Sequence, residues 1–352
     1  MKIDRLCLRH FRNYTQLELL LHPQLTFLIG NNGAGKTNIL ESLLVLSNLH
    51  SFRCVRDQEM IQKGKENARI EAYAGENSYR ISLHSRGKSL FMNDVLIRKT
   101  SDFFGKINCV LFKPEDLYLF DSSPKDRREL LDIEIGKIHN VYVYFLTSYE
   151  KLLREKNALL KKEDIDLHYL DIIEEQMLTP IHEISRFRKE FVAFLSLHAQ
   201  EYYRLLSGTD KKVSLKYKGN DAYTKEELLY KIRSIREKER IMGFSLFGPQ
   251  KDDIEAEIEN YPLSTYASQG QKRMLMISLK LAIYDYIFVK TKTEPIILLD
   301  DILSELDQEN RIRLFACLPT GAQTLITATD EEEMKDECYQ KYYVVKGEIY
   351  DK

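Results

Sequence analysis

Eight consecutive residues, Gly30 to Thr37, read G-N-N-G-A-G-K-T and fit the phosphate-binding pattern G-x-x-x-x-G-K-[ST]. Gly30, Gly33 and Gly35 let the backbone N–H groups of Asn31, Asn32 and Ala34 curl around phosphate oxygens, and a following helix adds its partial positive charge. In such a loop Lys36 reaches the β- and γ-phosphates of a nucleotide and the Thr37 hydroxyl holds Mg²⁺. Far along the chain, the apolar run Ile296-Ile297-Leu298-Leu299 ends in Asp300-Asp301. A buried strand that delivers carboxylates at its C-terminal edge suits metal-assisted phosphoryl chemistry. Asp300 is placed to hold Mg²⁺ through water opposite Thr37, and Asp301 to polarise an attacking water. Ser268-Gln269-Gly270-Gln271 opens a further apolar helix, giving a second helix start with a hydroxyl and free N–H groups for an anion.

These groups need a frame. Gln24 to Ile29 is short and apolar, as in a buried strand, and Asn38 to Leu46 is apolar on a helical period. Strand, glycine loop and helix is the order that phosphate binding requires. Residues 2–9 and 14–21 read as a pair of strands, and 68–98 as short alternating strands of an antiparallel sheet. Residues 107–112, 294–299 and 324–327 read as buried strands, and 342–350 as a closing hairpin around Lys346-Gly347. Between about 136 and 240 the character changes. Ile138, Tyr142, Phe145, Tyr149, Leu152 and Leu159 mark one amphipathic helix. A second is expected over 169–206, with a kink at Pro180. A strand over 211–218, a helix over 225–239 and a strand over 253–259 follow.

The expectation is an α/β P-loop head with mixed and antiparallel sheets, built from residues 1–136 and 241–352. A mainly helical lobe, residues 137–240, is inserted in it. Its apolar pattern is too short and irregular for a long coiled coil.

Composition narrows the classes. The chain has 352 residues, 43% hydrophobic and 30% charged, with net charge −2, so any polyanion site must come from local clustering. No apolar run approaches the roughly 18 residues of a membrane-spanning helix. Met1 to Leu6 alternates charged and apolar residues, unlike a signal peptide. Cys7, Cys54, Cys109, Cys317 and Cys338 are far apart and read as reduced thiols of a cytosolic protein.

Taken together, the P-loop, S-x-G-Q, the Asp300-Asp301 strand and Ser304-Glu305-Leu306-Asp307 resemble, in order and spacing, the Walker A, signature, Walker B and D-loop motifs of ABC ATPases. Phe11-Arg12-Asn13-Tyr14, Leu40-Glu41-Ser42, Ser51-Phe52-Arg53, Lys113-Pro114-Glu115-Asp116-Leu117, Arg127 to Asp132, Gly248 to Asp253 and Leu299 to Asp307 are similar to motifs of the RecF DNA replication and repair family. The resemblance covers essentially the whole chain. It implies nucleotide contacts from Arg12, Asn38, Ser268, Gly270, Gln271 and Asp307 besides the loop itself. It also implies ATP-dependent dimerisation, DNA binding at duplex next to single-stranded gaps, slow DNA-stimulated hydrolysis, work with RecO and RecR in loading recombinase, and a cytoplasmic, nucleoid-associated protein with no membrane partner. In that dimer the Ser268 helix start meets ATP held by the other chain. An ABC transporter subunit and an SMC-like or phage-defence ATPase are the competing readings.

Three positions depart from the ABC pattern. Asp301 replaces a glutamate, Thr329 followed by Asp330 stands where a switch histidine is usual, and Glu115 occupies the region of a glutamine loop. They suggest hydrolysis used as a timer. Candidate DNA contacts are Arg53 and Arg56, Lys63 and Lys65, Arg127 and Arg128, and Arg186, Arg188 and Lys189. With no base-reading module in the sequence, little sequence preference is expected.

Overall fold

Strands that are apolar throughout, such as Ile296–Leu299 and Cys109–Phe112, are suited to a parallel sheet covered on both faces. The computed structural model, which describes residues 1–219, 224–329 and 339–351, builds such a sheet. Its order is Glu348–Asp351, Tyr339–Val345, Leu25–Ile29, Thr324–Ala328, Ile296–Leu299, Cys109–Phe112. Every pairing is parallel except the hairpin at the Glu348–Asp351 edge. Three C-terminal strand ends therefore lie side by side: the one that enters the P-loop, the one that ends at Ala328, and the one that delivers Asp300.

A second sheet, antiparallel, runs Tyr14–Leu20, Arg5–Phe11, Asn67–Ala74, Asn77–His84, Gly87–Met92, Val95–Ile97. The alternation along it is that of a sheet with one covered face: Leu6, Leu8, Ile70, Ala72, Ile81 and Leu83 point into the core. The P-loop helix, Lys36–Asn48, contacts strands of both sheets, and ten of its residues from Ile39 to Asn48 are buried. Its lack of a polar face follows from that position.

The chain divides into two compact units. One comprises Met1–Leu117, Glu201–Asp210 and Arg273–Lys352; the other comprises Tyr118–Gln200 and Lys211–Lys272. Both sheets just described belong to the first. The second holds helices Pro124–Ile138, Asn140–Leu160, Lys225–Ser234 and Arg236–Met242, most of the 41-residue helix Leu167–Ser207, and a small sheet ordered Tyr261–Pro262, Asp253–Ile258, Val213–Lys218.

The boundaries expected at 136/137 and 240/241 fall inside this second unit. The reason is pairing across the sequence. Arg127 on Pro124–Ile138 grips the Asp253 carboxylate with Nε at 2.6 Å and Nη2 at 2.9 Å, and Arg128 Nη1 donates to Asp252 O at 2.9 Å. Strand Asp253–Ile258 pairs with Val213–Lys218. The long helix continues through Pro180, whose missing N–H removes one rung without ending it. The helix expected over 225–239 is two, divided at Ile235, where φ is −104° and ψ 0°. Among the described residues no helix is long and apolar enough to cross a membrane.

Candidate functional site

The loop after Ile29 takes backbone angles that explain its glycines. Gly33 and Gly35 have φ of +79° and +118°. A Cβ on Gly35 would stand 2.5 Å from Asn13 Nδ2, and one on Gly30 would run into Val344 O. Lys36 is buried and folds back over the loop, its Nζ donating to Gly30 O at 2.5 Å and Asn31 O at 3.3 Å. The first turn of the helix that follows carries no acid, so nothing in it opposes an anion at its N-terminus.

Sheet order brings the acidic pair to this loop from 263 residues away. Thr37 Oγ1 donates to Asp300 Oδ1 at 3.0 Å. Thr327 Oγ1 donates to the same oxygen at 2.9 Å and accepts the Asp301 N–H at 2.9 Å. Asp301 has φ +51°, a conformation unusual for a non-glycine residue. Burial pushes the Asp300 carboxyl above its ordinary value; the two hydroxyl donors oppose this, and the charges of Asp301 and Glu115 add to it. Among the described residues no group of three or more His, Cys, Asp or Glu side chains could chelate a metal. A hydroxyl and one carboxylate, completed by ligand oxygens and water, fit Mg²⁺ and do not fit Zn²⁺.

A brace that the sequence reasoning did not identify surrounds the loop. Its organiser is Glu41, fully buried on the P-loop helix. Arg12 clasps it with Nε at 2.9 Å and Nη2 at 2.5 Å, the Ser51 hydroxyl donates to it, and Arg53 Nη1 lies 3.7 Å away. Arg12 also donates to Glu59 O at 2.7 Å. The guanidinium expected to meet nucleotide is thus occupied in holding a carboxylate. Its neighbours reach the loop instead. Asn13 Nδ2 donates to Ala34 O at 3.2 Å, and Tyr14 Oη donates to Gly35 O at 3.1 Å. Gly347 N, from the hairpin at the far end of the sequence, donates to Ala34 O at 3.0 Å. Asn38 takes part from the helix side, donating to Asn13 Oδ1 at 2.7 Å and accepting from Arg53 at 2.7 Å. One signal for Glu41 was available: an acid inside an unbroken apolar helix must be buried with a partner.

Ser268 caps the helix Gln269–Thr291. Its Oγ accepts the Gln271 N–H at 3.3 Å, and Gln271 Oε1 accepts the Ser268 N–H at 2.9 Å, a reciprocal capping box. Ser268, Gln269 and Gly270 are exposed. These residues belong to the second unit and the P-loop to the first. Asp307 is likewise a helix cap, accepting the Asn310 N–H at 2.8 Å. Ser304 Oγ donates to Asp301 O at 2.7 Å, tying the following turn to the acidic pair.

The family model described as the RecF/RecN/SMC N-terminal domain matches residues 2–348. The DNA replication and repair protein RecF of Halalkalibacterium halodurans is 34% identical over 99% of each chain. That of Staphylococcus aureus is 33% identical over 99% of this chain and 100% of its own. The chain belongs to the RecF family. A solved structure of the recombination mediator protein RecF-ATPrS in the RecFOR pathway is similar, with TM-score 0.90, 25% identity and coverage of 99% of this chain and 97% of that one. An Smc head domain from Pyrococcus furiosus, at TM-score 0.55 and 16% identity, shares the fold.

For a RecF-family protein the arginines matter, and the structure corrects several expectations about them. Arg188 is no surface contact. It is 2% exposed and bonds Asp132 at 2.7 Å, Asp252 at 2.8 Å, Pro249 O at 2.8 Å and the Tyr142 hydroxyl at 3.0 Å. Arg127 is buried against Asp253, and Arg128 is turned to Asp252 O. Arg186 pairs along its own helix with Glu183 and Glu190. Arg56, Lys63 and Lys65 are exposed. Asp330 and Cys338 lie outside the described residues.

Proposed function

We propose that this RecF-family chain is an Mg-ATP-dependent, DNA-binding ATPase in which two chains clamp two nucleotides. The observation that carries the reading is the P-loop meeting Asp300 through Thr37, in a chain that also bears the exposed helix start at Ser268. Residues 30–38 bind the triphosphate, with Lys36 exchanging its carbonyl partners for phosphate oxygens. Thr37 and Asp300 would hold Mg²⁺, which would supply charge neutralisation at the phosphates. Asp301 orients and polarises the attacking water. Ser268, Gly270 and Gln271 close the site from a second chain, with Asp307 at its edge, so loss of the γ-phosphate releases the dimer. The first unit acts as the ATPase head and the second as its lobe. DNA is held mainly through phosphates, at duplex beside single-stranded gaps, and RecO and RecR are the partners in recombinase loading.

A mixing experiment tests the geometry. Lys36→Met removes a charge-assisted contact and weakens ATP binding or its use by about 10- to 150-fold. Ser268→Arg keeps monomer binding but abolishes ATP-dependent dimerisation and hydrolysis. Each is impaired alone, and mixed they regain activity at the one intact composite site. ATP-dependent dimerisation of Ser268→Arg alone refutes the trans arrangement.

A further inference from the structure

Thr327 belongs to none of the motifs above. It is fully buried near the end of strand Thr324–Ala328. That strand lies between the one entering the P-loop and the one delivering the acidic pair, in the register Thr327 to Leu28 on one side and Ile326 to Leu299 on the other. Thr327 is thus level with Asp300, the residue that follows Leu299. At a position covered on both faces of a parallel sheet, Val is the ordinary choice, being β-branched and apolar. A hydroxyl there is costly unless it is bonded.

This hydroxyl is bonded on both sides of its chemistry. It has one proton to donate and two lone pairs. The proton goes to Asp300 Oδ1 at 2.9 Å, and a lone pair takes the Asp301 N–H at 2.9 Å. Thr37 Oγ1 addresses the same Asp300 oxygen at 3.0 Å. The Asp300 carboxylate is therefore gripped by two hydroxyls, one from the first turn of the P-loop helix and one from the neighbouring strand end. Asp301, whose φ is +51°, is held in that sparsely populated conformation by the hydrogen bond its backbone N–H donates to Thr327 Oγ1. One side chain fixes the direction of one acid and the backbone of the other.

We propose that Thr327 is the positioning residue of the hydrolytic site: its hydroxyl sets the orientation of Asp300 toward the metal position and of Asp301 toward the water. The assignment rests on the ATPase reading above. It requires a hydroxyl, so the methyl group is dispensable. It also accounts for hydrolysis without a histidine at 329, because the strand end itself steadies the acids.

Thr327→Val, Thr327→Ala and Thr327→Ser are compared with the unsubstituted chain. Fluorescent ATP-analogue affinity is measured in EDTA and across a Mg²⁺ titration, with steady-state kcat and KM alongside. Thr327→Val leaves metal-free affinity within about twofold, because Thr327 does not touch the loop amides. It raises the Mg²⁺ concentration for half-maximal tightening and lowers kcat by about 10- to 150-fold, the range for a hydrogen bond to a charged group. KM changes little, and Thr327→Ser recovers most of both. Thr327→Ala serves the same purpose if the valine variant does not fold. A valine or alanine variant with the Mg²⁺ requirement and kcat of the unsubstituted chain overturns the assignment. So does a serine variant as impaired as the valine one, which would put the effect on methyl packing. An unsubstituted chain that neither binds nor hydrolyses ATP defeats the ATPase reading itself, a result distinct from either.

Discussion

Replacing Glu41 with alanine should unfold the brace before it touches any phosphate. The carboxylate is fully buried, and Arg12, with 18% of its side chain exposed, forms two hydrogen bonds to it. Deleting one partner of a buried ion pair costs about 3–5 kcal/mol, because the other charge stays behind. Arg12 keeps some access to water and its bond to Glu59 O, which favours the lower end, ~3 kcal/mol. Over a unit of this size, 1 kcal/mol shifts Tm by about 2–4 °C, so a fall of roughly 6–12 °C is expected. ATP affinity should fall with it, since Asn13 and Tyr14, next to Arg12, hold the carbonyls of Ala34 and Gly35. The assay is urea unfolding of Glu41→Ala, Arg12→Ala and the double variant. A coupling above ~1 kcal/mol is expected for residues in direct contact. If the single effects add to within about 0.5 kcal/mol, the pair is not coupled and the account of this turn as a brace is wrong.

Asp300→Asn should stabilise the nucleotide-free protein while abolishing Mg²⁺-dependent turnover. The folded carboxyl is raised above its ordinary value of 3.8, so the folded state binds the proton more tightly than the unfolded chain. That penalty is absent below about pH 4, grows as pH rises through the folded value and persists above it. The gain, ~1 kcal/mol by analogy with other stabilising substitutions, should therefore be present at pH 7.5 and vanish near pH 4, as read by chemical denaturation. A variant less stable than its parent at pH 7.5 would contradict this. Asp301→Asn should cut hydrolysis by about 10²–10⁴-fold with the ATP-bound dimer persisting, measured by sedimentation; native turnover would remove Asp301 from its role. DNA affinity should fall with salt at about −0.9 per phosphate contact, giving a slope near −4 or steeper for several contacts. A flat response or a marked sequence preference would count against a phosphate-based surface.

The site was legible where its signal is local. Gly30 to Thr37 needs no partner to be recognised, and the apolar runs on either side announce the strand and helix that hold it. Asp300 was legible because a strand covered on both faces can end in acids only at its edge. Thr327 was not. Its reason for being a threonine lies 27 residues earlier in the chain, in an adjacency that only the strand order creates. Arg12 was legible as part of a motif, but its bonds to Glu41 were not. Its place in a motif suggested a ligand, and its partner Glu41 sat inside an apolar helix where a charge attracts little notice. The unit boundaries were missed because composition changes near 136 and 240 while the ion pairs run from Arg127 to Asp253, across that change.

Arg188 shows how the same physics could have been applied earlier. Ile181, Ile184, Phe191 and Leu195 form one buried stripe of the long helix, and Arg188 stands four residues after Ile184 and three before Phe191. At helical spacing it can only share their face. A charge on a buried stripe must be compensated where it stands, here by Asp132 and Asp252 and by the hydroxyl of Tyr142. Burial raises the Asp252 carboxyl above its ordinary value despite the opposing pull of Arg188, so this cluster is costly to build. The partners of Arg188 come from two separated stretches of sequence, Asp132 with Tyr142 and Pro249 with Asp252. A charge on a third stretch, held by those two, specifies how all three pack more narrowly than an apolar contact would. That role leaves no charge over for phosphate, so on the proposed DNA-binding reading the candidates that remain include the exposed cations Arg56, Lys63 and Lys65.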